Sequence, residues 1–377
     1  TAKQSDPNRM LWMKGFPPAK DKILNASDGS FFNFPQIRYS VNHMREFFPT
    51  RKVSANKNWN YRVTKKIDNN IENITYVPWD SNESKTFLEG LDLNYTDGII
   101  IMHKGKIIYE KYLAGYKEAE LHSAMSVSKS FTGTLASILV AEGILDQNKK
   151  VADYIPELKD SGFGDATIRQ VMNMTTAIQY SEDYNNPKAE IWEFSESGNI
   201  YRPANYNGPQ NFYEYLKTVK KLSNQNHGDA FGYRTVNTEV LGWIISRVTN
   251  KDLTELLSEK IWQPLGAYYD GFYQLDPAGI AYAGGGFSLN LQDMAYFGEM
   301  IRNNGKLQGK QIIPKQAVLD ITTNTDLKEA QYVFAKRDYP KLKNWSYRNM
   351  WWRTNNKNGA FMARGVHGQA IYIDPKA

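Results

Sequence analysis

The sequence predicts a mixed α/β protein, with a layer of strands built from both ends of the chain and a mainly helical insert between them. Three observations carry this. Apolar runs of strand length stand at 98–113 and 366–373, while segments of helical period fill the middle, of which 128–142 has the fewest charges. The 377 residues are 41% hydrophobic and 23% charged, a globular composition that excludes a mainly disordered chain.

Residues 1 to about 85 are rich in Asn, Lys, Pro and aromatics and lack periodicity, so they read as an irregular wrapping segment. Within it, 51–66 holds Arg51, Lys52, Lys57, Arg62, Lys65 and Lys66 without an acid, interleaved with Trp59 and Tyr61. An anionic surface or nucleic acid could use such a patch. A solvated loop with its aromatics packed on the core is the expected reading. Gly98 to His103, the turn Lys104-Gly105, and Lys106 to Leu113 form a hairpin. Ser128 to Glu142 is a helix buried on most sides and stopped by Gly143. The stretch 146–158 reads as loop, with Pro156 as punctuation, and Thr167 caps a short helix reaching Met174. Residues 181–210 form a long polar, aromatic-rich excursion. Helices are expected at 211–222, 237–249, 253–262 and 291–303, and a strand at 366–373. Gly284-Gly285-Gly286 marks a flexible backbone or a close approach.

The composition also excludes chemistry. With no cysteine, there is no disulfide, thiolate nucleophile or cysteine-bound zinc. No apolar run reaches the roughly 18 residues of a membrane-spanning helix. A net charge of +6 is too small and dispersed to argue for nucleic acid. Gly-x-Ser-x-Gly, a Walker loop and His-Glu-x-x-His are all absent. Of the five histidines, His122 alone lies near a candidate serine. The polar opening Thr1 to Arg9 is read as belonging to an exported protein whose leader was removed; a periplasmic or secreted location is expected, with a cytoplasmic one open.

Three elements could carry chemistry. Ser126 and Lys129, three apart at the mouth of the buried helix, share one face. A hydroxyl becomes a nucleophile when a base takes its proton. An amine serves as that base only if burial brings its pKa from about 10.4 towards 7. The spacing alone is weak, since Ser54-Ala55-Asn56-Lys57 repeats it in a polar stretch. Ser126 could equally be a helix cap and Lys129 a solvated first-turn residue. Tyr233, just before a helix, could relay a proton, or be an ordinary aromatic core contact. His367-Gly368-Gln369 on the last strand could let a backbone N–H face an oxyanion, or His367 could be a hydrogen-bonded strand histidine.

In this order, the three elements resemble the serine hydrolases that share the penicillin-binding-protein and class C β-lactamase fold, with Ser-x-x-Lys, then Tyr-x-Asn, then Lys-Thr-Gly or His/Trp-Gly-x. The resemblance runs from about Asp97 to Ala377 and includes Gly284 to Ser288 with Asp293 after it. Met125 to Ser130, Glu182-Asp183-Tyr184, and His367-Gly368-Gln369 followed by Asp374-Pro375 resemble the 6-aminohexanoate-dimer hydrolases and their carboxylesterase relatives.

The resemblance implies a β-lactamase-like (DD-peptidase) α+β fold, an antiparallel sheet flanked by helices plus a mainly helical subdomain. On this chain the α/β part would be 86–160 and 285–377 and the helical part 161–284. It implies Ser126 as acylated nucleophile, Lys129 as general base, Tyr233 as second proton carrier and Tyr184 as a hydrogen-bond partner of the substrate amide or leaving group. The amides of Ser126 and Ala370 would form the oxyanion hole, with His367 and Gln369 beside it. It implies no metal or organic cofactor and a small ester or amide as partner, and leaves the oligomeric state open. The middle motif here reads Tyr233-Arg234-Thr235, without the Asn. His367-Gly368-Gln369 lacks the cation that holds a β-lactam carboxylate, and Gly284 stands where the amide-hydrolase branch is expected to place an Asn. Ester cleavage is therefore the expected general activity. A D-Ala-type peptidase, a weak β-lactamase and a catalytically silent binding protein are the alternatives.

Overall fold

The computed structural model describes residues 1–56, 58, 62–323, 342 and 344–377. Besides two pairs of two-residue strands, its strands are β1 (Thr50–Val53), β2 (Gly98–His103), β3 (Lys106–Tyr112), β4 (Leu121–Ser123), β5 (Gly271–Gln274), β6 (Phe287–Asn290), β7 (Ser346–Arg348), β8 (Trp351–Arg353), β9 (Phe361–Arg364) and β10 (Ala370–Ile373). Two four-stranded antiparallel sheets, in the orders β1-β5-β6-β4 and β7-β8-β9-β10, accompany the β2–β3 hairpin. The hairpin turn is Lys104-Gly105, both at positive φ, as a two-residue turn between twisted strands requires.

The longer helices are α1 (Val127–Ala141), α2 (Glu190–Ser197), α3 (Phe212–Thr218), α4 (Val236–Thr249), α5 (Leu291–Arg302) and α6 (Lys315–Thr322). From Val127 to Leu139 every residue of α1 is buried, as expected of a helix with so few charges. Its hydroxyls are satisfied inside the core. Thr134 and Ser137 donate to carbonyls four residues back, and Ser130 and Thr132 donate to Met350 and Ala283. Helix α1 packs on α4 and α6, and α5 packs on β2 and β10.

Several elements differ from the sequence expectation. Residues 366–373 are not one strand. His367 (φ 61) and Gly368 (φ 82) turn the chain through a short 3-10 segment, and two left-handed residues in succession cannot continue a pleat, so β10 begins at Ala370. The loop expected at 146–158 holds helical turns at Val151–Tyr154 and Pro156–Leu158, with Pro156 opening the second. The polar excursion contains α2, whose Ile191 and Phe194 face the core. Residues 253–262 are helical but turn to wider π-type winding from Ser258.

The N-terminal residues build an apolar cluster of their own. Trp12, Leu24, Phe31, Ile37, Tyr39, Val41, Met44 and Phe48 are buried there together with Met125 and Phe272. Thr50–Val53 then pairs with β5. In the basic stretch, Arg51 and Lys52 lie 3.7 Å from Asp252 and Asp270, and Lys65 lies 2.5 Å from Glu110. Arg62 stands 3.4 Å over the Tyr268 ring. Lys57, Trp59 and Tyr61 are outside the described residues. Among the described residues no helix is long and apolar enough to cross a membrane.

Candidate active site

Between β4 and α1 the chain turns through Met125 at φ 48, a conformation that costs a non-glycine residue on the order of 1–3 kcal/mol. The Met125 side chain is buried in the N-terminal apolar cluster, which offsets that cost. Ser126 then occupies the N-cap position of α1. A serine there ordinarily accepts from an amide of the first turn. The Ser126 hydroxyl makes no such bond and instead accepts from Lys129 Nζ at 2.9 Å. The geometry is that of a Ser–Lys pair and not of a cap.

Lys129 is 1% exposed, and its Nζ also donates to the Gly284 carbonyl at 2.7 Å. Burial pushes the amine down to about 8, against the opposing pull of Glu182 and Glu239. Glu239, on α4, is equally buried and accepts from the amides of Gly284 (2.6 Å) and Ala283 (3.1 Å). Burial pushes its carboxyl up to about 8, although those two amides and Lys129 favour the charged form. Gly284 threads this space closely. A Cβ there would lie 2.6 Å from Thr235 Cγ2 and 2.9 Å from Glu239 Oε1. The asparagine side chain sought at this position is replaced by a backbone carbonyl facing the amine.

The Tyr233 ring centroid lies 5.2 Å from Lys129 Nζ. Trp352 stacks on this ring at 5.3 Å and Tyr347 meets it edge-on at 5.8 Å. Glu182 ties the Tyr233 turn to the Tyr184 loop: it accepts from the Thr235 amide and from Thr235 Oγ1 (2.6 Å), and the Tyr184 hydroxyl donates to it at 3.2 Å. Arg234 is buried and donates to the carbonyls of Tyr180 and Thr176. Glu182 and Glu239 were not singled out as site residues from sequence. Glu239 does leave a trace there, as an acid set among the apolar Val236, Val240, Leu241 and Ile244.

The β9–β10 connection closes the other side. A Cβ on Gly365 would lie 3.0 Å from Ser126 N and 2.8 Å from the Ala124 carbonyl, so this backbone rests directly on the Ser126 turn. Gly365 N donates to Gln369 O at 2.8 Å, and Arg364 pairs with Ala370. Ala370 therefore starts its strand beside Ser126. The His367 ring packs edge-on against Phe32 at 4.9 Å, and the Gln369 amide is turned onto the His367 carbonyl at 3.4 Å. His122 is no partner for Ser126. Its Nδ1 meets the Ser123 carbonyl at 3.0 Å and its Nε2 meets Asp97 at 3.4 Å. Among the described residues no group of three or more metal-ligating side chains is assembled.

Residues 96–377 match the family model described as Beta-lactamase. The 6-aminohexanoate-dimer hydrolase of Paenarthrobacter ureafaciens is 32% identical over 289 residues, covering 76% of this chain and 71% of its own length. A Bacillus anthracis structure described as a candidate 6-aminohexanoate-dimer hydrolase superposes with a TM-score of 0.84 at 33% identity, over 96% of this chain and 90% of that one. The octameric penicillin-binding protein homologue of Pyrococcus abyssi is similar in fold alone, with a TM-score of 0.57 at 18% identity over 77% and 69% of the two chains.

Proposed function

This chain belongs to the beta-lactamase family, and on that premise we propose that it cleaves small esters or amides through an acyl-enzyme on Ser126. The observation that supports this best is the 2.9 Å contact between Ser126 Oγ and an amine buried enough to shed its proton near pH 8.

In the first step neutral Lys129 takes the Ser126 proton as Oγ bonds to the substrate carbonyl carbon. The carbonyl oxygen becomes the oxyanion of a tetrahedral intermediate, facing the amides of Ser126 and Ala370. Collapse breaks the bond to the leaving alcohol or amine, and the proton on Lys129 reaches that group by way of the Tyr233 phenol. In the second step water attacks the acyl-enzyme, gives its proton to the same pair, and Ser126 Oγ leaves reprotonated. Tyr184, held by Glu182, contacts the substrate on the leaving-group side. The name of the Paenarthrobacter relative makes 6-aminohexanoate dimer one substrate to assay. The His367 turn carries no lysine for a β-lactam carboxylate, which places cephalosporins below esters in expected turnover.

The test is a panel of p-nitrophenyl esters, 6-aminohexanoate dimer, D-Ala-D-Ala peptides and a cephalosporin, read by turnover and by acyl mass on the intact protein. The expected result is an adduct on Ser126 with an ester or amide and none on a folded Ser126→Ala variant. Wild-type turnover in that variant would defeat the proposal.

A further inference from the structure

Five rings stand edge to face in a row along one side of the candidate site. Tyr184 meets Trp192 at 6.0 Å, Trp192 meets Tyr201 at 5.5 Å, Tyr201 meets Phe32 at 6.3 Å, and Phe32 meets His367 at 4.9 Å, with interplanar angles of 82°, 86°, 88° and 73°. Both ends are anchored to the chemistry. Tyr184 bonds Glu182, which holds the Thr235 amide two residues from Tyr233. His367 is two residues from Gly365, which rests on Ser126 N. A row fixed at these two ends borders the space between them.

Phe32 is the member that comes from the N-terminal segment, outside the family match. It is fixed from behind, because its neighbour Phe31 is buried against Phe47, Phe48 and Tyr201. All five rings keep part of their surface exposed. They offer apolar faces and edges, and the nearby cation Arg202 is spent on the carbonyls of Glu196 and Ser197 and on Gln210. Such a border suits an uncharged, flexible chain.

We infer that Phe32 is a specificity-determining residue, completing an aromatic border that receives the unbranched alkyl chain of the ester or amide. This rests on the acyl-enzyme reading above. The test measures kcat/KM for p-nitrophenyl esters from acetate to octanoate, and for acetates of alcohols of increasing length, in wild type, Phe32→Ala, Phe32→Tyr and Ser126→Ala. Each buried methylene is worth a few-fold in binding, so the wild-type rate constant rises with chain length in at least one series. In that series Phe32→Ala loses about tenfold on the longest ester and less than about twofold on the shortest, mainly through KM, and Phe32→Tyr restores the preference. Trp192→Ala, an independent break in the same row, gives the same length-selective loss. If both alanine variants stay folded and act equally on short and long substrates, or on neither, the inference falls. Were wild type inert on all esters, or Ser126→Ala as active as wild type, the acyl-enzyme reading itself would have failed.

Discussion

Lys129 and Glu239 are joined through the backbone of one residue: the Gly284 carbonyl accepts from the amine at 2.7 Å, and the Gly284 N–H donates to the carboxyl at 2.6 Å. Both side chains are fully buried and both are pushed towards their neutral forms by it. Their effects on stability run in opposite directions with pH. The Glu239 carboxyl is raised from 4.5 to about 8, so the stability it contributes is present at acid pH and lost as pH rises through that interval. The Lys129 amine is lowered from 10.5 to about 8, so its penalty stands below pH 8 and is relieved as pH rises towards 10.5. The pair therefore contributes least near pH 8. Urea unfolding at several pH values, in wild type and in the Lys129→Met/Glu239→Gln double variant, should show a difference curve with its minimum there. A difference that does not vary with pH would show that the two groups do not titrate as described.

On the proposed mechanism the same amine sets the rate profile. Only its neutral form accepts the Ser126 proton, so kcat/KM for a p-nitrophenyl ester should rise with pH and level off above about 8. Removing the carboxyl that ionises beside it, in Glu239→Gln, should move that limb to lower pH. Lys129→Met should lose about 10²–10⁴ in rate. It should also unfold no more easily at pH 7, because it removes a buried cation that costs about 3 kcal/mol. A limb unmoved by either substitution would take Lys129 out of the base role.

Tyr233→Phe separates proton delivery from attack. A p-nitrophenolate leaves without needing a proton, whereas an amine must be protonated as it leaves. The variant should lose about 10²-fold or more on an amide or alkyl ester and far less on a p-nitrophenyl ester. Equal losses on both classes would assign the ring, which Trp352 stacks upon, to packing alone.

Gly365→Ala tests the oxyanion side. Its new methyl would crowd Ser126 N and the Ala124 carbonyl, both backbone atoms that cannot swing aside. The expected result is a fall in kcat of at least about tenfold, since displacing one oxyanion donor removes about 10²–10³. The accompanying stability loss should stay at about 1–3 kcal/mol, the usual cost of overpacking. A variant with lowered Tm and normal kcat would show that the turn yields without disturbing the donors.

The sequence made helix α1 legible because three signals agreed there: a largely apolar run with few charges, a serine and lysine at one helical face, and a glycine stop. The hairpin was legible for the same kind of reason, apolar runs of strand length on either side of the turn Lys104-Gly105. What escaped was set by contacts distant in sequence. Strands β5 and β6 are four residues each, too short to show a period, and exist through pairing with β1 and β4. Helix α2 buries Ile191 and Phe194 in the core and packs Trp192 against it, amid acids and serines. Glu182 is an ordinary loop acid until the fold places the Thr235 amide against it, 53 residues away. The His367 turn looked like strand because its flanks are apolar, while its reversal depends on a left-handed histidine that no local pattern announces.

The burial of Met125 gives the first fifty residues a standing that the family boundary at residue 96 does not suggest. They lie outside the matched domain, yet they cover the residue immediately before Ser126, and Arg38 reaches across to Asp97 at 3.1 Å. Expressing the matched domain by itself would uncover Met125 and Phe272 to water and release the strained turn from its clamp. Such a trimmed enzyme would keep its whole Ser–Lys–Tyr complement and still hold its alcohol in the wrong place.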